Sequence, residues 1–284
     1  MKGYELLFDD LRSRMGEWTV SELMSTAVKT IDVNSTLREA IHKMREYRVH
    51  CLVVTRDKKP LGVVSTYDVL LSITKKEHTG DVKVGDVMSS ELVTAAPHED
   101  AFTALERIME HHIGRLIVLD DDKLLGVVSS TDLIDAFDKS SGLKNHNSLS
   151  ELKSRFRVRD IKELMHEIST IDADALVCDA AKKMDEKDIG SLLVTEENEI
   201  TGIITERDIF RKTVAVGEDC ESIRVKSIMT RGFYTLELDD SILEASRLFN
   251  KHRIRRLPVV KDGGIVGVIS ARDVAKVIYN KRLI

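Results

Sequence analysis

Gly62-Val63-Val64-Ser65-Thr66-Tyr67-Asp68 returns as Gly126-Val127-Val128-Ser129-Ser130-Thr131-Asp132. It returns again as Gly202-Ile203-Ile204-Thr205-Glu206-Arg207-Asp208 and as Gly267-Val268-Ile269-Ser270-Ala271-Arg272-Asp273. Each copy sets a glycine six residues, and a hydroxyl residue three residues, before an aspartate. Outward from the aspartates the register holds. Ala40, Ala104, Ala180 and Ala245 lie 28 residues upstream, and Val49, Ile113, Ile189 and Ile254 lie 19 upstream. A methionine stands 44 residues before three aspartates (Met24, Met88, Met229) and 43 before the other (Met165). Agreement at five positions in four copies is an internal repeat with a unit of about 60 residues.

The glycine-to-glycine steps are 64, 76 and 65, so the surplus falls between the second and third copies, in the polar stretch 140–148. A Ser-, Gly- and Asn-containing segment there reads as a linker, and the copies group into two pairs. The expected boundaries are 18–78, 82–139, a linker at 140–156, 157–219 and 222–284. Residues 1–17 precede them as a docking helix, with Leu7, Leu11, Met15 and Trp18 as its apolar stripe.

Within a unit, a short segment ends in the methionine and a strand follows, as at Ala27–Ile31. A helix comes next. Thr36 with Glu39, and Ser241 with Glu244, have capping-box spacing. Leu37, Ala40, Ile41 and Met44 recur at helical spacing in the first unit, as do Ile242, Ala245, Leu248 and Phe249 in the fourth. Two apolar runs around a charged turn then predict a hairpin, as in Leu116–Leu119 and Leu125–Val128 about Asp120–Lys123. A second helix begins at the hydroxyl residue and turns Leu133, Ile134, Ala136 and Phe137 inward in the second unit. The fold class is therefore α+β, four strand–helix–strand–strand–helix repeats. Three strands cannot cover two helices, so each unit needs a neighbour.

The 284 residues carry 43 Lys+Arg against 48 Asp+Glu, a formal charge of −5, with 42% apolar and 32% charged residues. That balance is globular and argues against bulk nucleic-acid binding. The longest apolar run, Gly264–Ile269, falls far short of the roughly 18 residues a membrane span needs. Glu5, Asp9 and Asp10 interrupt the N-terminus, which does not read as a signal peptide. Cys51, Cys178 and Cys220 form no CxxC and no even disulfide set, in keeping with a reducing cytoplasm.

The Gly-x-x-(Ser/Thr)-x-x-Asp junction admits two readings. In one, the hydroxyl caps the second helix, the aspartate completes the box and the glycine marks a bulge. In the other, the helix start receives a phosphate, the acid accepts hydrogen bonds from ribose, and the glycine lets a ligand approach the backbone. Seventeen residues before the aspartates stand Cys51, Arg115, Ser191 and Arg256. Arg115 and Arg256, entering a strand beside such a helix start, suit bidentate phosphate contact. Arg207 and Arg272 sit on the first helical turn, where the dipole opposes a cation unless an anion is near.

These motifs resemble cystathionine-β-synthase (CBS) domains, and two tandem copies resemble a Bateman module. The resemblance runs from about residue 18 to 284. Four-copy chains of this kind are similar to the nucleotide-sensing γ subunit of AMP-activated protein kinase and to stand-alone archaeal four-CBS proteins. The resemblance implies two Bateman modules in a flat disc-like assembly, a homodimer as one possible state, and a non-catalytic regulatory sensor. Its ligand would be AMP, ADP or ATP, held between paired repeats and signalled to a partner protein. S-adenosylmethionine or methylthioadenosine is the alternative ligand, and a nucleic acid a further one. Carried over, the sites centre on Ser65/Asp68, Ser129/Asp132, Thr205/Asp208 and Ser270/Asp273, with Arg115 and Arg256 as phosphate clamps and adenine among apolar residues near the first strand. Cys51 and Tyr67 depart from the pattern in the first unit, and Ser191 in the third, where Arg207 or a partner residue could substitute. The expected order of occupancy is fourth and third, then second, then first.

Other clusters carry less. His111 and His112 are adjacent on a helix and cannot face one ligand; with His42 and His166 elsewhere, no metal site is expected. His50 and Cys51, neighbours on a strand, point to opposite faces, and Cys51 reads as a buried thiol. His252–Arg256 is basic but short and leads into an apolar strand.

Overall fold

The computed structural model describes residues 12–13, 15–75, 77, 79–133, 157–158 and 164–279. The linker at 140–156, Leu7, Leu11, Ile134, Ala136 and Phe137 lie outside the described residues. In the first repeat, α1 (Val20–Leu23) leads into β1 (Thr30–Asp32), α2 (Leu37–Tyr47), β2 (Cys51–Arg56), β3 (Lys59–Ser65) and α3 (Thr66–Thr74). The second has α4 (Val84–Val87), β4 (Thr94–Ala95), α5 (Ala101–Glu110), β5 (Arg115–Asp120) and β6 (Lys123–Ser129), and residues 130–133 are helical. The third has β7 (Thr170–Asp172), α6 (Val177–Glu186), β8 (Ser191–Glu196), β9 (Glu199–Thr205) and α7 (Glu206–Lys212). The fourth has α8 (Val225–Ile228), β10 (Thr230–Arg231), β11 (Leu236–Glu237), α9 (Ile242–His252), β12 (Arg256–Lys261), β13 (Gly264–Ser270) and α10 (Ala271–Tyr279).

Each repeat builds its own small mixed sheet. Its first strand runs parallel to the second, and the second and third form an antiparallel hairpin. The hairpins close on two residues, and Asp57 with Lys58, Glu197 with Asn198 and Asp262 with Gly263 all take positive φ. Such turns follow the right-handed twist of the strands. The first strand lies slightly later than expected, at Thr30–Asp32 rather than Ala27–Ile31. Thr36 and Glu39 close a full capping box. Ser241 accepts from the Glu244 N–H at 3.2 Å, but the Glu244 carboxylate turns to Arg247, so only half of that expected box forms.

The described residues fall into two compact units. One holds those up to Ala27, Val93–Ile168 and those from Tyr234; the other holds Val28–Leu92 and Ser169–Phe233. In the first unit, one apolar cluster joins the second and fourth repeats: Ala104, Leu105, Ile108 and Leu133 lie with Ala245, Phe249, Val274 and Ala275. Met15 is fully buried in that cluster and Trp18 packs against it. In the second unit, Leu70 of the first repeat enters the core of the third. Phe210 and Ala215 of the third enter the core of the first. The need for a neighbour is thus met by pairing first with third and second with fourth.

A separate exchange links tandem neighbours. The lead-in that ends in each methionine sits on the sheet of the adjacent repeat, with Ser25 bridged to Val127, Ser89 to Val63 and His166 to Val268. Thr230 and Arg231 pair with Ile203 and Gly202 as a fourth strand. This explains the repeated glycine. A Cβ on Gly62 would strike the Ser89 carbonyl oxygen, and one on Gly126 would lie 2.5 Å from Met24 Sδ. The register also shifts beside each glycine, at Val54/Thr55, Val118/Leu119, Val194/Thr195 and Val259/Val260. So each glycine stands beside a bulge, and the lead-in's methionine and the main chain after it crowd this position.

The cysteines are less scattered than their spacing suggests. The Cys178 N–H donates to the Cys220 carbonyl at 3.2 Å, and burial, with Cys178 close by, pushes the Cys220 thiol up to about 12. Cys51 is only half-buried, because it stands at the open end of β2 opposite Ser65.

Candidate functional site

Each hairpin delivers its last strand into a helix start. Ser65 and Thr205, the caps of α3 and α7, keep extended backbone angles, which leaves the first-turn N–H groups pointing out of the helix. The aspartate three residues on closes the box in all four copies. The Ser65 N–H and hydroxyl both donate to Asp68 Oδ2 at 2.7 Å. Ser129 does the same to Asp132 Oδ2 at 2.8 and 2.6 Å. Thr205 reaches Asp208 Oδ2 at 3.1 and 2.6 Å, and Ser270 reaches Asp273 Oδ2 at 2.8 and 2.6 Å. The capping role is therefore realised at every copy. It engages one oxygen of each carboxylate, and an ionised carboxylate offers about four acceptor positions over its two oxygens.

The ladder brings the other candidate position to the same place. Cys51 pairs with Ser65, Arg115 with Ser129, Ser191 with Thr205 and Arg256 with Ser270. Residues directly opposite in an antiparallel pair present side chains to the same face. Arg115 and Arg256 thus stand beside the hydroxyl caps of their own repeats, both half-buried. Arg207 is half-buried and Arg272 exposed on the first turns of α7 and α10. In the first repeat, Tyr67 donates its hydroxyl to Asp185 at 3.2 Å, so it serves the packing of α3 against α6. Since the lead-in lies along the last strand, each cap is flanked by its own hairpin and by a segment of the tandem neighbour.

The four copies differ in what meets the carboxylate. Lys212 Nζ lies 2.9 Å from Asp208 Oδ1, so both oxygens of that acid are engaged. His166 Nε2 lies 3.2 Å from Asp273 Oδ2; the Asp273 side chain is 2% exposed and that of His166 is 49% exposed. Asp68, Asp132 and Asp208 are only partly buried. The hydrogen bond to Asp273 raises His166 above the ordinary imidazole value, against burial and the nearby Arg256 and Lys276. Burial pushes Asp273 upward, but the hydrogen bonds from His166 and Ser270 outweigh it and hold the acid below its ordinary value.

The signs define a pH window. A raised histidine contributes stability below its unfolded value, near 6.5, and loses it as pH rises through the folded value. A depressed carboxylate contributes above its unfolded value, near 3.8, and loses it as pH falls through the folded one. The gap in melting temperature between the native chain and His166→Ala should be widest between those limits, at about pH 5.5, and shrink by about pH 8.5. A gap that does not change with pH would show that the two groups are not paired.

The sequence reading of His166 concerns only metal ligation and does not pair it with Asp273. The signal was present: the residue after the lead-in methionine is Ser25, Ser89 and Thr230 in the other copies and histidine here. Among the described residues, no cluster of three or more His, Cys, Asp or Glu side chains is placed to hold a metal ion, and no helix is long and apolar enough to cross a membrane.

The CBS domain family profile matches residues 20–75, 84–139, 158–214 and 225–280. The chain belongs to the CBS domain family. Its tandem exchange of lead-in segments is a Bateman-module arrangement, with four CBS repeats in two modules. The chain is 36% identical over 113 residues to the mitochondrial CBS domain-containing protein CBSX3 of Arabidopsis thaliana, covering 38% of this chain and 55% of that protein. It is 27% identical over 198 residues to the uncharacterized protein MJ1225 of Methanocaldococcus jannaschii, covering 67% and 69%. It spans about half the length of several curated relatives, 52% of the Arabidopsis protein CBSCBSPB5 for example. The crystal structure of MJ1225 superposes with a TM-score of 0.75 at 19% identity, covering 92% of this chain and 99% of that one. An uncharacterized protein of Pyrococcus horikoshii superposes with a TM-score of 0.60 at 18% identity, covering 92% and 100%. Both likenesses concern the fold.

Proposed function

We propose that this CBS protein is a non-catalytic regulatory sensor that binds adenine nucleotides (AMP, ADP or ATP) beside its helix starts and signals to a partner protein. The observation that carries this reading is the pairing of Arg115 with Ser129 and of Arg256 with Ser270. A guanidinium directly across the ladder from a helix N-terminus adds a full positive charge to a partial one, which suits a phosphate. The aspartate on the same turn supplies acceptors for ribose hydroxyls. The description of MJ1225 proposes it as an archaeal homologue of the γ subunit of AMP-activated protein kinase, which accords with this reading. The repeats account for nearly the whole described chain, and no nucleophile and base are paired in what is left.

A ligand held there touches one repeat's hairpin and its tandem neighbour's lead-in. It can bias how the two sit together only through unequal affinity for the alternatives, and that bias is what a partner would read. The arginines favour a phosphate over the sulfonium of S-adenosylmethionine, which gains nothing from a nearby cation. Replacing Arg256 by alanine should lower AMP affinity by about 10-fold or more while changing adenosine affinity by less than about 3-fold, as measured by calorimetry. Equal losses for both would reject the phosphate role. Tight binding of S-adenosylmethionine with none of AMP would replace the nucleotide assignment.

A further inference from the structure

The fourth repeat differs from the others in one respect that bears on ligand access. Asp273 is almost fully enclosed, whereas its three counterparts are partly exposed. Its Oδ2 takes three donors: the Ser270 N–H, the Ser270 hydroxyl and His166 Nε2. The first two belong to the capping box and are local to the helix start. His166 is the one that comes from elsewhere. It rides on the lead-in of the third repeat, and its main chain is fixed to Val268 by N–H···O bonds of 2.9 and 3.1 Å. The backbone therefore cannot easily leave, while the half-exposed imidazole can rotate into solvent.

We propose that His166 is a latch over the Asp273 carboxylate, which a ribose must displace to bind the fourth repeat, so that affinity at this site is set by the protonation of His166. The proposal rests on the nucleotide reading above and adds a gate to it. Latched, Oδ2 carries three donors and the side chain is almost fully enclosed, which shuts a sugar hydroxyl out. Unlatched, it offers acceptors beside Arg256. The charged groups facing the imidazole are Asp273 and Lys276 from α10 and Arg256 from β12. Asp273 holds the protonated latch closed, and the two cations oppose it. A ligand phosphate would add a charge of its own to this balance, so a neutral nucleoside gives the cleaner readout.

The test is calorimetric binding of adenosine to the full chain at about pH 6 and about pH 8.5, a range that spans imidazole titration. The native chain should bind adenosine about 5- to 10-fold more tightly at the higher pH, since deprotonation weakens the latch. His166→Ala and His166→Gln should bind as tightly at low pH as the native chain does at high pH, with little pH dependence left. In an Asp273→Ala background, His166→Ala should change nothing, because the latch then has no carboxylate to cover. Weaker binding in both histidine variants would make His166 a direct ligand contact and overturn the latch. Undiminished pH dependence in them would overturn it as well. If neither the native chain nor the variants bind adenosine or AMP, the nucleotide reading fails and the latch fails with it; binding that ignores His166 removes the latch alone.

Discussion

Replacing Gly62 by valine should destabilise the second unit more than any exposed substitution in the chain. The added carbons would meet the carbonyl oxygen of Ser89, a main-chain atom of the seated lead-in, and Met88 Sδ stands 3.1 Å from the first of them. Main chain cannot rotate away as a side-chain end can. Either the Val63–Ser89 bridge opens, with its N–H···O bonds of 3.1 and 3.0 Å, or β3 bends away from its own hairpin. Overpacking of this kind costs about 1–3 kcal/mol, and alanine should already show much of it. Losing the bridge adds to that for valine. Gly114 is the control, since a Cβ there meets nothing within 4 Å. Gly114→Ala should be neutral or stabilise by up to about 1 kcal/mol through the unfolded chain. Urea denaturation of the three variants decides it: if Gly62→Val and Gly114→Ala unfold at the same midpoint, the tight seating of the lead-in is wrong.

The second large effect concerns Asp273. Its removal should lower the affinity of the fourth repeat for AMP by about 10- to 100-fold, the worth of roughly 1.5–3 kcal/mol of ribose hydrogen bonding. Because the same acid accepts from the Ser270 N–H and hydroxyl at the start of α10, the change also costs stability, about 1 kcal/mol for the lost half of the capping box. Asp273→Asn separates the two. An asparagine oxygen can still accept from the Ser270 N–H, so much of the cap survives. The charge that strengthens hydrogen bonds from ribose and from His166 is gone. Nucleotide affinity should fall in both variants, whereas stability should fall mainly in the alanine one. Calorimetry together with melting curves reads both quantities. Loss of stability with unchanged AMP affinity would leave Asp273 a purely architectural residue.

The strand–helix–strand–strand–helix unit was legible in the sequence because its signals are local. Charged two-residue turns, alternating apolar runs and Thr36 with Glu39 each act within a few residues. The recurring glycine and methionine were equally visible, but not that they meet. Gly126 faces Met24, about a hundred positions earlier, and a close approach between distant segments leaves no periodic trace. For the same reason the pairing of first with third and second with fourth repeats stayed hidden. Leu70 and Phe210 look like ordinary inward-facing residues of their own helices, yet each completes the other repeat's core. At the site, the fixed spacing of 14 residues between Arg256 and Ser270 encoded their pairing, since both sit in one hairpin. His166 lies on a different repeat from the acid it covers, so only comparison of the four lead-ins could flag it.

The most direct measurement is the structure of the chain crystallised with millimolar AMP. Ribose hydroxyls should lie within hydrogen-bonding distance of Asp273, with the phosphate between Arg256 and the start of α10 and the His166 imidazole swung off the carboxylate. Grooves without nucleotide, with His166 still on the Asp273 carboxylate and Ser270 still donating to it, would contradict the account.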